Sequence, residues 1–361
     1  MSRSLRVLAL GKYGELAASS RQRIVQYRAP LAASGITLEY DALLPDEYVR
    51  AIADESSVRA GLLLKAYAGR LRRLFSLKSF DAVWVQCDVL PYVPGLLETW
   101  PLGNAPIVYD CDDAVYHTYD MHRNPLVRWL LGRKLQPLLR RARAATCGND
   151  YLKAYVGQFC AASEIVPTVV DTRHYQPCEI DGARTNTPPT IGWIGSPSTW
   201  TYVSALTPLL LDLTNDRKAT FRTVGVGAQS RDIAAFEYAD WKLETEVAEI
   251  QKFDIGIMPL TDDPWSRGKC GYKLIQYMAC GLPVVASPVG VNTKLVQHGE
   301  NGFLATTQEE WAEALQRLIA DPALRARMGR AGRTLVEREY SLASQVPRVA
   351  RILRQAAEAK G

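Results

Sequence analysis

The sequence predicts an α/β fold, with two doubly wound parallel sheets carried on two domains. Three observations predict it. The length of 361 residues allows two domains of ordinary size, each able to bury a core. Short apolar runs alternate with amphipathic stretches in both halves, which is how buried parallel strands and their crossover helices read. Several of those runs end in glycine loops directly before a helical pattern.

Composition is globular, at 47% hydrophobic and 22% charged, and no low-complexity tract interrupts it. The net charge of +5 is too mild to name a partner by itself. Seven cysteines are scattered, odd in number and form no CxxC pair, which argues against a disulfide framework or zinc site and for a reducing cytoplasm. The first apolar run is too short for a signal peptide. No run approaches the ~18 apolar residues of a membrane span.

In chain order, residues 5–10 form the first strand, followed by the loop GKYGELAASSRQR and a helix from about Ser20, with Ser19 or Ser20 as its cap. The glycine loop at Gly11 sets backbone donors near that helix start. Arg21 and Arg23 fall in its first turn, where cations oppose the helix dipole. That cost points to a bound anion or the polar head of an acceptor; the plainer alternative is solvated surface arginine. The loop is not GxGxxG, so a nucleotide-dependent oxidoreductase or epimerase loses its fingerprint here.

Residues 36–40, 82–86 and 107–110 give the next strands. Two intervening stretches, 56–80 and 121–144, carry Arg and Lys among leucines without a single acid. A basic amphipathic helix reads as a membrane-surface element, so both are expected to meet an anionic lipid face. The alternative is a packed helix with a solvated basic rim. The run IVYDCDDAVYH ends a strand in Asp110, Asp112 and Asp113. Asp110-Cys111-Asp112 is literally DxD, a pattern that can hold a divalent metal. Carboxylates at the C-terminal end of a parallel strand also face the ligand crevice. The three are expected to be crevice residues rather than metal ligands. His117 could join either role.

Pro177, Gly182, Pro188 and Pro189 mark a linker, so the domain boundary is placed near residue 175. Residues 190–194 then run into Gly195, Ser196, Pro197, Ser198 and Thr199, and residues 221–226 give another strand before the weak glycine pattern GVGAQS. The chain is organised around residues 254–303. There Gly268 and Gly271 flank Lys269 and Cys270 ahead of a helix with Tyr272, Ile275, Met278 and Ala279 on one face, stopped by Gly281-Leu282-Pro283. A glycine loop feeding a helix N-terminus is an anion site, and Lys269 and Lys273 add positive charge beside it. A diphosphate is the natural occupant.

The run GYKLIQYMACGLPVVASPVGVN, with NGFL after it, resembles the donor-binding segment of family 4 glycosyltransferases, retaining enzymes of the GT-B fold. The resemblance implies two Rossmann-like domains facing a central cleft: an acceptor domain at 1–175, a nucleotide-sugar domain at 176–341, and a helix at 342–361 crossing back to the first. VPTVVDTRHYQP is similar to the family's interdomain signature. The resemblance is to a divergent member. The family's paired glutamates fall on Gly268 and Gln276, its diphosphate-gripping arginine falls on Ser196, and a donor-contacting histidine falls on Asp112.

What the resemblance implies is a metal-independent, hexosyltransferase-like enzyme. It moves a sugar from a nucleotide-diphosphate sugar to a glycan or lipid-linked acceptor, in cell-surface polysaccharide or glycolipid synthesis. No cofactor, metal or nucleic acid is expected, and the place is the cytoplasm or the inner face of the plasma membrane. Asp112, Lys269 and Lys273 are the expected catalytic residues. Gly195, Ser196, Ser198, Thr199, Gly268, Cys270, Gly271, Tyr272 and Gln276 are expected to hold the donor, with Gln276 at the ribose and the region of Trp241–Glu246 and Glu249 at the base. Asp262, Asp263 and Ser266 are candidates to replace the lost first glutamate. Gly11, Arg21, Arg23, Asp110 and Asp113 are expected to meet acceptor or sugar. The rival reading is a catalytically degenerate sugar-nucleotide or glycan-binding protein.

Overall fold

The computed structural model describes residues 4–53, 60–178, 187–227 and 230–358. The first residues of the basic stretch at 56–80, Gly182 of the linker, part of GVGAQS and the last three residues lie outside these. The chain divides into two compact units. The first comprises Met1–Thr168, Arg267–Cys270 and Gln345–Gly361, and the second Val169–Ser266 and Gly271–Ser344. The first division along the chain comes at Thr168/Val169, and the short Arg267–Cys270 segment groups with the first unit.

The first unit is built on a six-stranded parallel sheet, β1 Leu5–Tyr13, β2 Ile36–Leu44, β3 Ala82–Gln86, β4 Ile107–Cys111, β5 Ala142–Cys147 and β6 Ser163–Ile165. Their spatial order is β2-β1-β3-β4-β5-β6. Strands β3 and β4 are buried along their whole length, because a sheet covered by helices on both faces needs apolar residues on both. Leu8, Leu10, Val83, Val85, Ile107 and Tyr109 form its core.

The second unit repeats the plan with β7 Thr190–Ile194, β8 Thr220–Val224, β9 Glu237–Ala239, β10 Ile255–Met258, β11 Val284–Ala286 and β12 Gly302–Leu304, ordered β12-β11-β10-β7-β8-β9. All neighbours are parallel. Side-chain alternation splits its core in two: Ile194, Val224, Met258 and Val284 pack on one face, and Trp193, Phe221, Ile257 and Val285 on the other. Gly192 is forced by packing, since a Cβ there would lie 1.9 Å from the Phe253 ring.

Strand order reverses at β1/β3 in the first sheet and at β7/β10 in the second. In open α/β sheets such switch points, at the C-terminal strand ends, are where ligands bind. The predicted α/β, doubly wound class is the one observed.

Several predicted elements are corrected. The first helix is Ala18–Arg23, so Arg21 and Arg23 stand in its last turn, where cations favour the dipole. Its N-cap is Ala17; the Ser20 hydroxyl instead donates to the Tyr13 carbonyl at 2.9 Å. Gly11 lies inside β1 opposite Ala42, not in a loop. The basic stretch 121–144 is two short helices, Pro125–Leu131 and Gln136–Arg141, and its last residues belong to β5. In the other basic stretch, Arg70 on helix Ala60–Leu74 is buried, donating to Asp41 Oδ1 at 2.7 Å and to the carbonyls of Gly11 and Val89.

Candidate active site

In the first unit the switch point is lined by the residues that follow β1, β3 and β4. Asp112 leaves β4 partly exposed, receiving Gln86 Nε2 on Oδ2 at 3.2 Å and the Cys87 thiol on Oδ1 at 3.3 Å. Burial, and next the neighbouring Asp110 charge, push its pKa up to about 6. Asp113 pairs with Lys269, Nζ to Oδ2 2.8 Å. The Lys269 segment is held from the other side by Asn149, which caps helix Asp150–Val156 through Oδ1. Its amide nitrogen donates to the carbonyls of Gly268 and Lys269, both at 3.0 Å. The Cys270 thiol donates to the Asp112 carbonyl at 2.9 Å, and burial raises its pKa, so it is a packing thiol. Gly268, Lys269 and Cys270 therefore serve the aspartate cluster of the first unit.

Asp110 and Arg23 are enclosed. Arg23 Nε donates to Asp110 Oδ2 at 3.0 Å, its Nη1 to the Val166 carbonyl at 2.7 Å, and both residues are almost wholly buried. Burial alone would lower the Arg23 pKa, but the Asp110 charge outweighs it and the net shift is upward. In this arrangement neither presents a polar atom to an acceptor, which corrects the sequence expectation. Arg21 turns back onto the Leu16 carbonyl. Gly11 is closed off by Tyr40, whose hydroxyl would lie 2.1 Å from a Cβ. His117 is fixed between Asp120 Oδ1 at 2.9 Å and the Tyr151 hydroxyl at 3.0 Å. Sequence reasoning missed Lys12 and Asp88 at this switch point. Burial pulls the Lys12 pKa down, yet Tyr13 and Asp88 more than offset it and hold the ammonium above its ordinary value.

In the second unit Gly195 follows the end of β7 at Ile194, and Pro197–Thr199 makes a 3₁₀ turn before helix Trp200–Ser204. Ser196 and Thr199 cap that turn reciprocally, and the Ser196 and Ser198 hydroxyls lie 3.0 Å apart on the surface. Lys273, in the first turn of helix Tyr272–Ala279, folds over this loop: its Nζ lies 5.7 Å from the Trp193 ring centroid. Gly195 has to be glycine, because a Cβ would come within 2.3 Å of the Trp193 ring and 2.9 Å of Lys273 Cε. Gly271, at φ 67°, starts the helix in a left-handed turn, with a Cβ position 2.1 Å from Leu295.

Gln276 is buried, and its Nε2 donates to the Tyr175 hydroxyl at 3.2 Å. That hydroxyl donates to the buried carboxylate of Glu246 and lies 3.0 Å from the Tyr272 hydroxyl, while Trp241 Nε1 donates to Glu246 Oε2 at 2.6 Å. Burial, and then the Glu246 charge, raise the Tyr175 pKa. Glu246 falls in the stretch expected at the base, but its pairing with Tyr175 was not read from sequence, since 71 residues separate them. Glu249 pairs with Arg222 at 2.6 Å, away from this network. Ser266 is fully buried, bonded to Asp263 and to the Tyr202 hydroxyl at 3.3 Å. It therefore cannot offer its hydroxyl in place of a lost glutamate. Among the described residues no group of three His, Cys, Asp or Glu side chains could hold a metal ion.

Residues 188–321, which span the second sheet and its switch point, match the family model described as glycosyl transferases group 1. A D-inositol 3-phosphate glycosyltransferase of Pseudarthrobacter chlorophenolicus is 29% identical over 132 residues, 34% of this chain and 28% of that protein. The chain thus covers well under a third of that relative's length. Among solved structures, sucrose-phosphate synthase from Thermosynechococcus elongatus aligns over 98% of this chain and 100% of its own, at 16% identity and a TM-score of 0.73. Anabaena HepE in complex with UDP aligns over 97% and 100%, at 16% identity and a TM-score of 0.67. The fold is GT-B, and within it residues 188–321 are similar to the glycosyl transferases group 1 family.

Proposed function

We propose that the protein is a retaining glycosyltransferase that uses a nucleotide-diphosphate sugar as donor and a glycan or lipid-linked molecule as acceptor. The second unit takes the donor and the first unit the acceptor. The bond from the anomeric carbon to the diphosphate oxygen breaks. The acceptor oxygen bonds that carbon on the same face, and its proton passes to the departing diphosphate. No protein nucleophile is needed.

The observation that carries this reading is Lys273 folded beside Gly195 at the switch point of the matched domain. The growing charge of a leaving diphosphate needs a fixed donor, and Lys273 with the backbone and hydroxyls of Gly195, Ser196, Ser198 and Thr199 supplies one. HepE, solved with UDP bound, supports a nucleotide sugar as the donor class. Asp112 and the Lys269–Asp113 pair are proposed to face the sugar or acceptor hydroxyls. The reaction is proposed to need no metal, and to serve cell-surface polysaccharide or glycolipid synthesis at the inner face of the plasma membrane.

A thermal-shift panel of UDP, GDP, ADP and CMP sugars tests the donor. A sugar nucleotide at 100 times its dissociation constant adds about 2.7 kcal/mol of stability, and the shift persists in EDTA. The loss of both family glutamates, at Gly268 and Gln276, favours a second reading in which the protein binds sugar nucleotides without turnover. Binding without release of nucleoside diphosphate would select it.

A further inference from the structure

Among the described residues, the large apolar side chains that stand exposed all fall between Ile52 and Leu130. Trp100 and Trp129 are each 82% exposed and Phe75 88%. Single exposed leucines need no explanation, but a concentration of this kind with two tryptophans does. The topology gathers them. With right-handed crossovers, the order β2-β1-β3-β4-β5 puts the helices of the β2–β3, β3–β4 and β4–β5 connections on one face of the first sheet, opposite that of the β1–β2 connection. Helix Gly95–Thr99 packs on helix Gln136–Arg141, and helix Ala60–Leu74 reaches the turn Trp100–Leu102.

Among the described residues, basic side chains predominate around these apolar side chains, and the exposed acids of the same connections are Glu47 and Asp120. Helices Ala60–Leu74, Pro125–Leu131 and Gln136–Arg141 contain no acid, and Glu98, the acid of Gly95–Thr99, is fully buried against Lys134. Lys65, Arg72, Arg133 and Arg140 stand exposed around the apolar side chains. Exposed tryptophan and leucine rimmed by cations fit the boundary between headgroups and acyl chains of an anionic bilayer.

We propose that this face docks on anionic membrane by inserting Leu96, Trp100, Trp129 and Leu130, with the surrounding cations on lipid phosphates. The proposal rests on the reading of a membrane-borne acceptor and gives it a seat different from basic charge alone. Lys134 is buried, and Arg141 is tied to the carbonyls of Thr99 and Gly103, so neither reaches lipid freely.

The test is flotation of the full chain with phosphatidylglycerol–phosphatidylcholine vesicles and with phosphatidylcholine alone, at low and high salt. Wild type is expected to bind the anionic vesicles, with salt weakening but not abolishing binding. Trp100→Ser with Trp129→Ser weakens it about tenfold or more. Trp100→Phe with Trp129→Phe keeps it while losing the quenching of tryptophan fluorescence by brominated lipid. Failure of wild type to float, wild-type binding by the serine variant, or a concentration-dependent dimer that the serine variant loses would each overturn the proposal. The sugar-nucleotide thermal shift, read on the same samples without lipid, stays at its wild-type value in both variants. Its absence from wild type would sink the transferase reading and leave the flotation result standing.

Discussion

Lys269 Nζ lies 2.8 Å from Asp113 Oδ2, an ion pair in which the two side chains remain 22% and 29% exposed. Lys269 thus has an acidic partner in its own unit, while Lys273, four residues on, belongs to the other unit and leans on Trp193. The two lysines are not interchangeable counter-ions.

The first prediction separates them. Lys269→Ala should cost about 1 kcal/mol of stability or less, the range of a solvent-screened pair, and slow transfer less than loss of Lys273 does. In a double-mutant cycle, Lys269→Ala and Asp113→Ala should be non-additive. A hundredfold rate loss at Lys269 with additive effects would return it to the diphosphate.

The second concerns the enclosed Arg23–Asp110 pair. Asp110→Ala leaves a buried guanidinium without its charge partner and should destabilise by about 3–5 kcal/mol in denaturant unfolding. Near-wild-type stability with lost activity would instead make Asp110 a ligand contact.

A third follows from Asp112, whose pKa stands at about 6 against an ordinary 3.8. A carboxyl raised on folding is a cost to the charged fold. Its contribution is fully present below pH 3.8 and is lost as pH rises through about 6. Unfolding free energy of wild type minus that of Asp112→Asn should fall across that window. A flat difference would show that the carboxyl is not perturbed.

Much of the fold was legible because buried parallel strands are continuous apolar runs: 82–86 and 190–194 match β3 and β7 residue for residue. Strand β5, ARAATC, was missed because small residues and an arginine break that signal, and β9 is only three residues long. The glycine loop at Gly195 could be read because it lies next to its strand. The partners of Arg23 and Gln276 could not, since they are 87 and 101 residues away and no local period encodes such a pairing.

Gln276 gives the fourth prediction. It is 1% exposed and donates to Tyr175, so Gln276→Ala leaves a buried hydroxyl short of one donor. Stability should fall by about 1–3 kcal/mol, with any loss of nucleotide affinity secondary to it. Reduced affinity at unchanged melting temperature would place Gln276 on the ribose directly.

The most direct measurement of the central claim is nucleoside diphosphate release from a panel of sugar nucleotides, by wild type and by Lys273→Ala. Wild type should release nucleoside diphosphate from at least one donor. Lys273→Ala should do so roughly a hundredfold more slowly, as expected for loss of one charge-stabilising donor, at unchanged melting temperature. Release at the wild-type rate by Lys273→Ala, or donor binding with no release by wild type, would contradict the account.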